Sequence, residues 1–166
     1  MVATRSHRRV AAAVDVVCDA AARSEAASLR DVVDVVARER NRPIELDFAT
    51  ALAPGVCGQR RAYPDRDVIV IAPGLPDPNR TLAHELGHIV FRHDGAEAAT
   101  STLEASDDLI AYMLSQRSRR RGDGPVAGDL AEWEAETFAS MLLMRLRTMQ
   151  GRGSAVSVLR YDEAIG

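Results

Sequence analysis

The pattern of apolar and polar positions changes character several times along the chain. From about Ser6 to Arg40, Ala, Val, Arg and Glu dominate and no Gly or Pro intervenes. That window reads as helix. Val32, Val35 and Val36 recur at i, i+3 and i+4, a stripe that packs one helical face on a core. Ser28 with Asp31 three residues later has capping-box spacing, which divides the region into two helices near Ser28. Asn41-Arg42-Pro43 ends it. Ile44 to Phe48 then alternates with period two, as a half-buried strand does. Gly58 to Tyr63 reads as a second, polar strand and Val68 to Ile71 as a buried one. Pro54-Gly55 and Pro64 to Asp67 mark the turns. Connections this short predict a small, mainly antiparallel sheet over about 44–71.

Asp77 followed by Pro78 predicts a helix start, with Asp as the cap and Pro at the first helical position. This helix is expected over about 78–92, stopping near Asp94-Gly95. Leu109 to Leu114 reads as a short helix and Arg117 to Pro125 as a loop. Asp129 is expected to cap a last helix over about 130–149, ahead of Gly151 and Gly153, with Trp133 and Phe138 on its buried side. The whole chain, 1–166, reads as a single domain of α+β class, with helices packed on one face of the sheet.

Composition narrows the function classes. Hydrophobic residues make up 46% and charged residues 27%, ordinary globular values that exclude a mostly disordered chain. Lys and Arg total 21, all of them Arg, against 24 Asp and Glu, for a net charge of −3. A dedicated nucleic-acid binder has a basic excess, so no specific DNA binding is expected. The Arg117 to Arg121 cluster accordingly reads as a solvated loop. No apolar run approaches the ~20 residues of a membrane span. Arg5, Arg8 and Arg9 precede an Ala/Val-rich stretch in the manner of a leader peptide, but Asp15 and Asp19 interrupt it and favour helix. Cys18 and Cys57 are too few for a disulfide framework, and a reduced, cytoplasmic setting is expected. Cys57 reads as an inert thiol.

The chemistry concentrates in His84-Glu85-Leu86-Gly87-His88. On a helix, H-E-x-x-H puts His84 and His88 one turn apart on one face, so two imidazoles can hold one metal. Glu85 lies beside that face, within reach of a water on the metal. Neutral imidazole and carboxylate suit Zn²⁺, and an open fourth position makes such a site catalytic. A metzincin-type third ligand requires Gly at position 91 and His at 94; here these are Phe91 and Asp94, and Asp94 stays a weak alternative. His93 lies about 140° around the helix from His88 and reads as an exposed or capping residue near the helix end. The better third ligand is on the last helix. Glu132 and Glu136 share a face there, Glu132 as ligand and Glu136 as acceptor for the free N–H of a ligand histidine. The alternative for this pair is a solvated acidic helix start. Glu134 falls on another face and reads as surface.

Asn79 to His93 resembles the active-site helix of the ImmA/IrrE family of metallopeptidases. Glu132 to Met144 resembles that family's second motif, E-x-E-A-[ND]-x-F-A-x-x-L-L-M-P, and the strand Val68 to Ile71 fits its layout. The resemblance implies a zincin-like α+β fold, a Zn²⁺ ion on His84, His88 and Glu132, and Glu85 as the catalytic carboxylate. Glu136 stands where the family has Asn or Asp, and Arg145 where it has Pro, so the last helix is expected to run on. The resemblance also implies a zinc-dependent endopeptidase acting on a protein partner, a helix-turn-helix repressor, without contacting DNA or membrane itself. The alternative is a zinc-bound regulator that inactivates a repressor by binding without proteolysis. A structural zinc domain is disfavoured, because closed sites usually have four ligands. Tyr63, Tyr112, His93 and Arg80 are candidates for an oxyanion donor.

Overall fold

Helices and strands follow in the order α1 (His7–Arg23), α2 (Leu29–Glu39), β1 (Ile44–Asp47), β2 (Val56–Ala62), β3 (Asp67–Ile71), α3 (Pro78–Val90), β4 (Ser101–Glu104) and α4 (Ala127–Asp162). They are taken from a computed structural model that describes residues 5–93, 101–104 and 127–162. The fold is α+β, as the sequence predicts. The expected helix at Leu109 to Leu114, the Arg117 to Arg121 loop, Asp94 and Tyr112 lie outside the described residues.

Local chemistry sets most of the boundaries. Ser6 caps α1 by accepting the Arg9 backbone N–H. Ser28 and Asp31 form the expected capping box: the Ser28 hydroxyl accepts the Asp31 N–H at 3.2 Å, and the Asp31 carboxylate accepts the Ser28 N–H at 2.8 Å. Those bonds, the Ser28 side chain's first, hold the Asp31 carboxyl below its ordinary pKa. Asp77 caps α3 with Pro78 in its first turn. The helix α4 starts before Asp129 and runs past Gly151 to Asp162. A Gly costs a helix interior only about 1 kcal/mol, and Arg145 keeps the backbone N–H that Pro would lack. Arg145 also forms an ion pair with Asp15 of α1.

The sheet order is β1-β3-β2-β4. β2 pairs antiparallel with both β3 and β4, whereas β1 pairs parallel with β3, Ile44 opposite Asp67. The period-two pattern does not show this parallel pairing, and its cause is a buried charge. Asp67, fully buried at the start of β3, takes Arg42 Nε at 3.0 Å, Arg40 Nη1 at 3.2 Å and Arg60 Nη2 at 3.5 Å. Its backbone N–H donates to the Pro43 carbonyl at 2.9 Å. Two arginines just ahead of β1 thus clamp the beginning of β1 to the beginning of β3, so the strands run the same way. β4 was not marked by any apolar period and completes the far edge.

One core joins the layers. Val10, Val14, Val32, Val33 and Val36 of the first two helices meet Ile69 and Ile71 of β3, Leu82, Leu86 and Ile89 of α3, and Phe138, Ala139 and Leu142 of α4. α3 and α4 pack with their backbones in contact. A Cβ on Gly87 would stand 3.0 Å from Ala135 Cα and 3.1 Å from the Ala135 carbonyl oxygen. Glycine facing alanine lets these two backbones touch.

Candidate metal centre

That contact brings the two sequence motifs together. One turn before Ala135, Glu132 reaches across to α3. Its Oε2 lies 3.4 Å from His84 Nε2 and its Oε1 3.4 Å from His88 Nε2. The two Nε2 atoms are 3.1 Å apart. Among the described residues, His84, His88 and Glu132 form a candidate metal-binding triad. A tetrahedral ion with bonds of ~2.0–2.1 Å sets its ligand atoms about 3.3 Å apart. The three donors are spaced and aimed to fit one such ion, and their chemistry, two imidazoles and a carboxylate, suits it.

The protonation states agree with that use. Burial, the His84 ring and then His93 and Arg60 pull His88 down to about 3, against the opposing pull of Glu132, so its imidazole is neutral. Burial pushes Glu132 up, but the hydrogen bond from His84 and the neighbouring imidazoles outweigh it and hold the carboxyl below its ordinary range. Glu85 behaves in the opposite sense. It is fully buried, and among the described residues no side chain donates a hydrogen bond to either carboxyl oxygen. Burial first, then the charge of Glu132, raise it well above the ordinary carboxyl range, with Arg60 pulling the other way. Gly58 of β2 leaves the space it occupies: a Cβ there would come within 3.1 Å of Glu85 Oε1.

Glu136 also reaches the site. Its Oε2 is 3.5 Å from His84 Nδ1, too long for a good hydrogen bond, and His84 Nδ1 has no partner among the described residues. The other oxygen is held by Arg80 of α3. Of the oxyanion candidates, Arg80 is therefore engaged with Glu136, Tyr63 sits at the β2–β3 turn with Arg66 over its ring, and His93 lies behind the ligands.

One sequence expectation fails here and one holds in part. Glu134 is not on the surface; it is 2% exposed. His93 does cap the helix end, through its main chain, but its imidazole is not exposed. Its Nδ1 is 3.0 Å from His88 Nδ1 and its Nε2 is 2.8 Å from Glu134 Oε2. The reason is that α3 stops at Val90, so helical spacing no longer places residue 93. Arg92 takes a left-handed φ of 53°. The His93 N–H donates to the His88 carbonyl at 3.0 Å and the Arg92 N–H to the Ile89 carbonyl at 3.2 Å. This is a Schellman turn, and it folds His93 back over His88. Such turns usually carry Gly, and Arg92 gave no signal of one.

Residues 44–152 match the IrrE N-terminal-like domain. The chain belongs to this peptidase family. The match begins at β1 and takes in β2, β3, α3 and most of α4, so it contains every residue of the candidate triad together with Glu85. Helices α1 and α2 precede it. No curated protein and no solved structure matches the chain. Among the described residues, no helix is long and apolar enough to cross a membrane.

Proposed function

We propose that the protein is a zinc-dependent endopeptidase that cleaves a helix-turn-helix transcriptional repressor. The observation that carries the hydrolytic part is Glu85, a fully buried carboxyl beside three converging metal donors. A carboxylate in an apolar site is otherwise costly. A bound Zn²⁺ would supply Lewis acidity toward the scissile carbonyl and acidify a water molecule. His84, His88 and Glu132 would hold the ion, with Glu136 beside His84 and Arg80 on Glu136. Glu85 accepts the water proton at a carboxyl oxygen and returns it to the leaving amine. The substrate class rests on the resemblance of the two motifs to regulators of that kind and on the net acidity of the chain, which points to a protein partner instead of DNA.

The test is incubation of the purified protein with the repressor encoded beside it, with and without chelator, followed by repressor size and operator occupancy. Two fragments are expected, and both chelation and Glu85→Gln should lower their formation about 10²-fold or more while the variant keeps its fold and metal. Repressor that leaves its operator intact, with Glu85→Gln as effective as wild type, would overturn cleavage in favour of regulation by binding.

A further inference from the structure

An imidazole that gives one nitrogen to a metal must carry its proton on the other. The partner of that second N–H fixes the tautomer and the ring's orientation. His88 turns Nε2 toward His84 and Glu132, so its proton belongs on Nδ1. What faces Nδ1 is another imidazole, His93 Nδ1 at 3.0 Å. That nitrogen must then accept, which puts the His93 proton on Nε2, 2.8 Å from Glu134 Oε2. Glu134 Oε1 accepts from Arg9 Nη1 at 2.7 Å. One proton arrangement satisfies each of these contacts: His88 donates to His93, His93 to Glu134, and Arg9 to Glu134. The reverse tautomer of His93 would set two N–H groups against each other or take the ligand nitrogen from His88.

The rest of the site holds this arrangement in place. The Phe91 ring stacks on His93 with 5.5 Å between centroids. Arg60 donates to the His93 carbonyl at 3.4 Å. Glu134 is shielded from water at 2% exposure, so its charge acts on His93 with little screening.

We infer that His93 and Glu134 are positioning residues for the metal centre: the imidazole, oriented by the buried carboxylate, fixes the tautomer and aim of His88. The inference rests on the reading of His88 as a metal ligand. The charge on Glu134 makes His93 a better acceptor, and His93 in turn makes His88 a better electron donor.

The test uses the full chain, stripped and then reloaded. Zn²⁺ affinity is measured by competition with a chromophoric chelator, and ligand geometry by the visible bands of the Co²⁺ form. His93→Phe keeps a ring to stack on Phe91 but removes both nitrogens. It should weaken Zn²⁺ about 10–100-fold and shift the Co²⁺ bands. His93→Asn, whose Oδ1 falls near the lost Nδ1, should recover part of the affinity. Glu134→Gln should fall between wild type and His93→Phe. Should His93→Phe fail to fold, long-range ¹H–¹⁵N spectra of the zinc-loaded wild type decide: protons on His88 Nδ1 and His93 Nε2 support the inference, and a proton on His93 Nδ1 overturns it. A lower melting temperature of metal-free His93→Phe, with affinity and Co²⁺ bands unchanged, would reduce His93 to a packing residue. If His88→Ala loses metal while His93→Phe binds like wild type, this inference alone fails. If His88→Ala also binds like wild type, the ligand assignment itself fails.

Discussion

A missing methyl group makes room for Glu85. A Cβ on Gly58 would lie 2.4 Å from Thr81 Cγ2, a distance no packed side chain tolerates, and within 3.1 Å of Glu85 Oε1. Thr81 is buried on α3 and has nowhere to move. Gly58→Ala should therefore cost about 1–3 kcal/mol, read as a lower melting temperature, and slow cleavage by displacing Glu85. At this scale the sequence is uneven. His84, Glu85 and His88 are legible because H-E-x-x-H carries its geometry in its spacing, and Glu132 through the resemblance of the second motif, since its spacing from Glu136 alone fits a solvated helix start equally well. His93 and Glu134 are illegible because their partners come from elsewhere in the chain. Helical spacing holds only inside a helix, and the turn at Arg92 lies beyond its end. The burial of Glu134 depends on Arg9 and His93, which neither its neighbours nor its helix face reveal.

The contact between α3 and α4 sets the distance across the metal centre. Gly87 and Ala135 meet backbone to backbone, one turn away from Glu132 and next to His88. In Gly87→Ala the helices must separate or slide, because the nearest atoms are main chain and cannot rotate aside. Secondary structure should survive, as Ala favours helix over Gly by about 1 kcal/mol. Zn²⁺ affinity should fall at least tenfold, measured by chelator competition, with circular dichroism unchanged. The starts of α2 and α3 were legible because each is a side-chain reaction with the first turn, Ser28 with Asp31 and Asp77 with Pro78, whereas the last helix starts ahead of its expected cap Asp129. The end of α2 at Asn41-Arg42-Pro43 was legible too, but the later ends were not. The end of α3 lacks Gly, and α4 passes Gly151 because an isolated Gly weakens a helix without stopping it.

Across the whole molecule, Asp67 ties α2, the start of β1, β2 and β3 into one unit through three arginines. Arg42 also closes the β2–β3 turn by donating to the carbonyls of Pro64 and Arg66. Burial pushes the Asp67 carboxyl up, but the hydrogen bond from Arg42 and the charges of Arg60 and Arg42 outweigh it and hold the group below its ordinary range. A folded-state pKa below the unfolded value of ~3.9 means this stabilisation is complete above about pH 4 and is lost as pH falls through the lowered value. Asp67→Asn should lose about 1–3 kcal/mol at neutral pH, since a buried amide replaces the carboxylate on which three arginines converge. It should also flatten the acid limb of a stability–pH curve from denaturant titrations. Strands β1 to β3 were legible, β1 from its period and β3 from its apolar run, but β4 and the strand order were not. Alternation tells which face of a strand is buried, while the parallel partner of β1 is chosen by a charge at the first residue of β3.

The bond from Arg9 to Glu134 spans 125 positions of the chain. During synthesis α1 emerges before α3, and the helix that carries Glu132 and Glu134 emerges after both. The two histidines of α3 can form half of the metal centre in between, but Glu132 and the anchored Glu134–His93 pair exist only after the last long-range contact closes. On the proposed reading, metal uptake at full affinity should follow the packing of α4 on α3 and α1. Arg9 lies outside the family domain at 44–152, so cutting the chain back to that domain removes the outermost anchor of His88 while leaving all three candidate ligands in place.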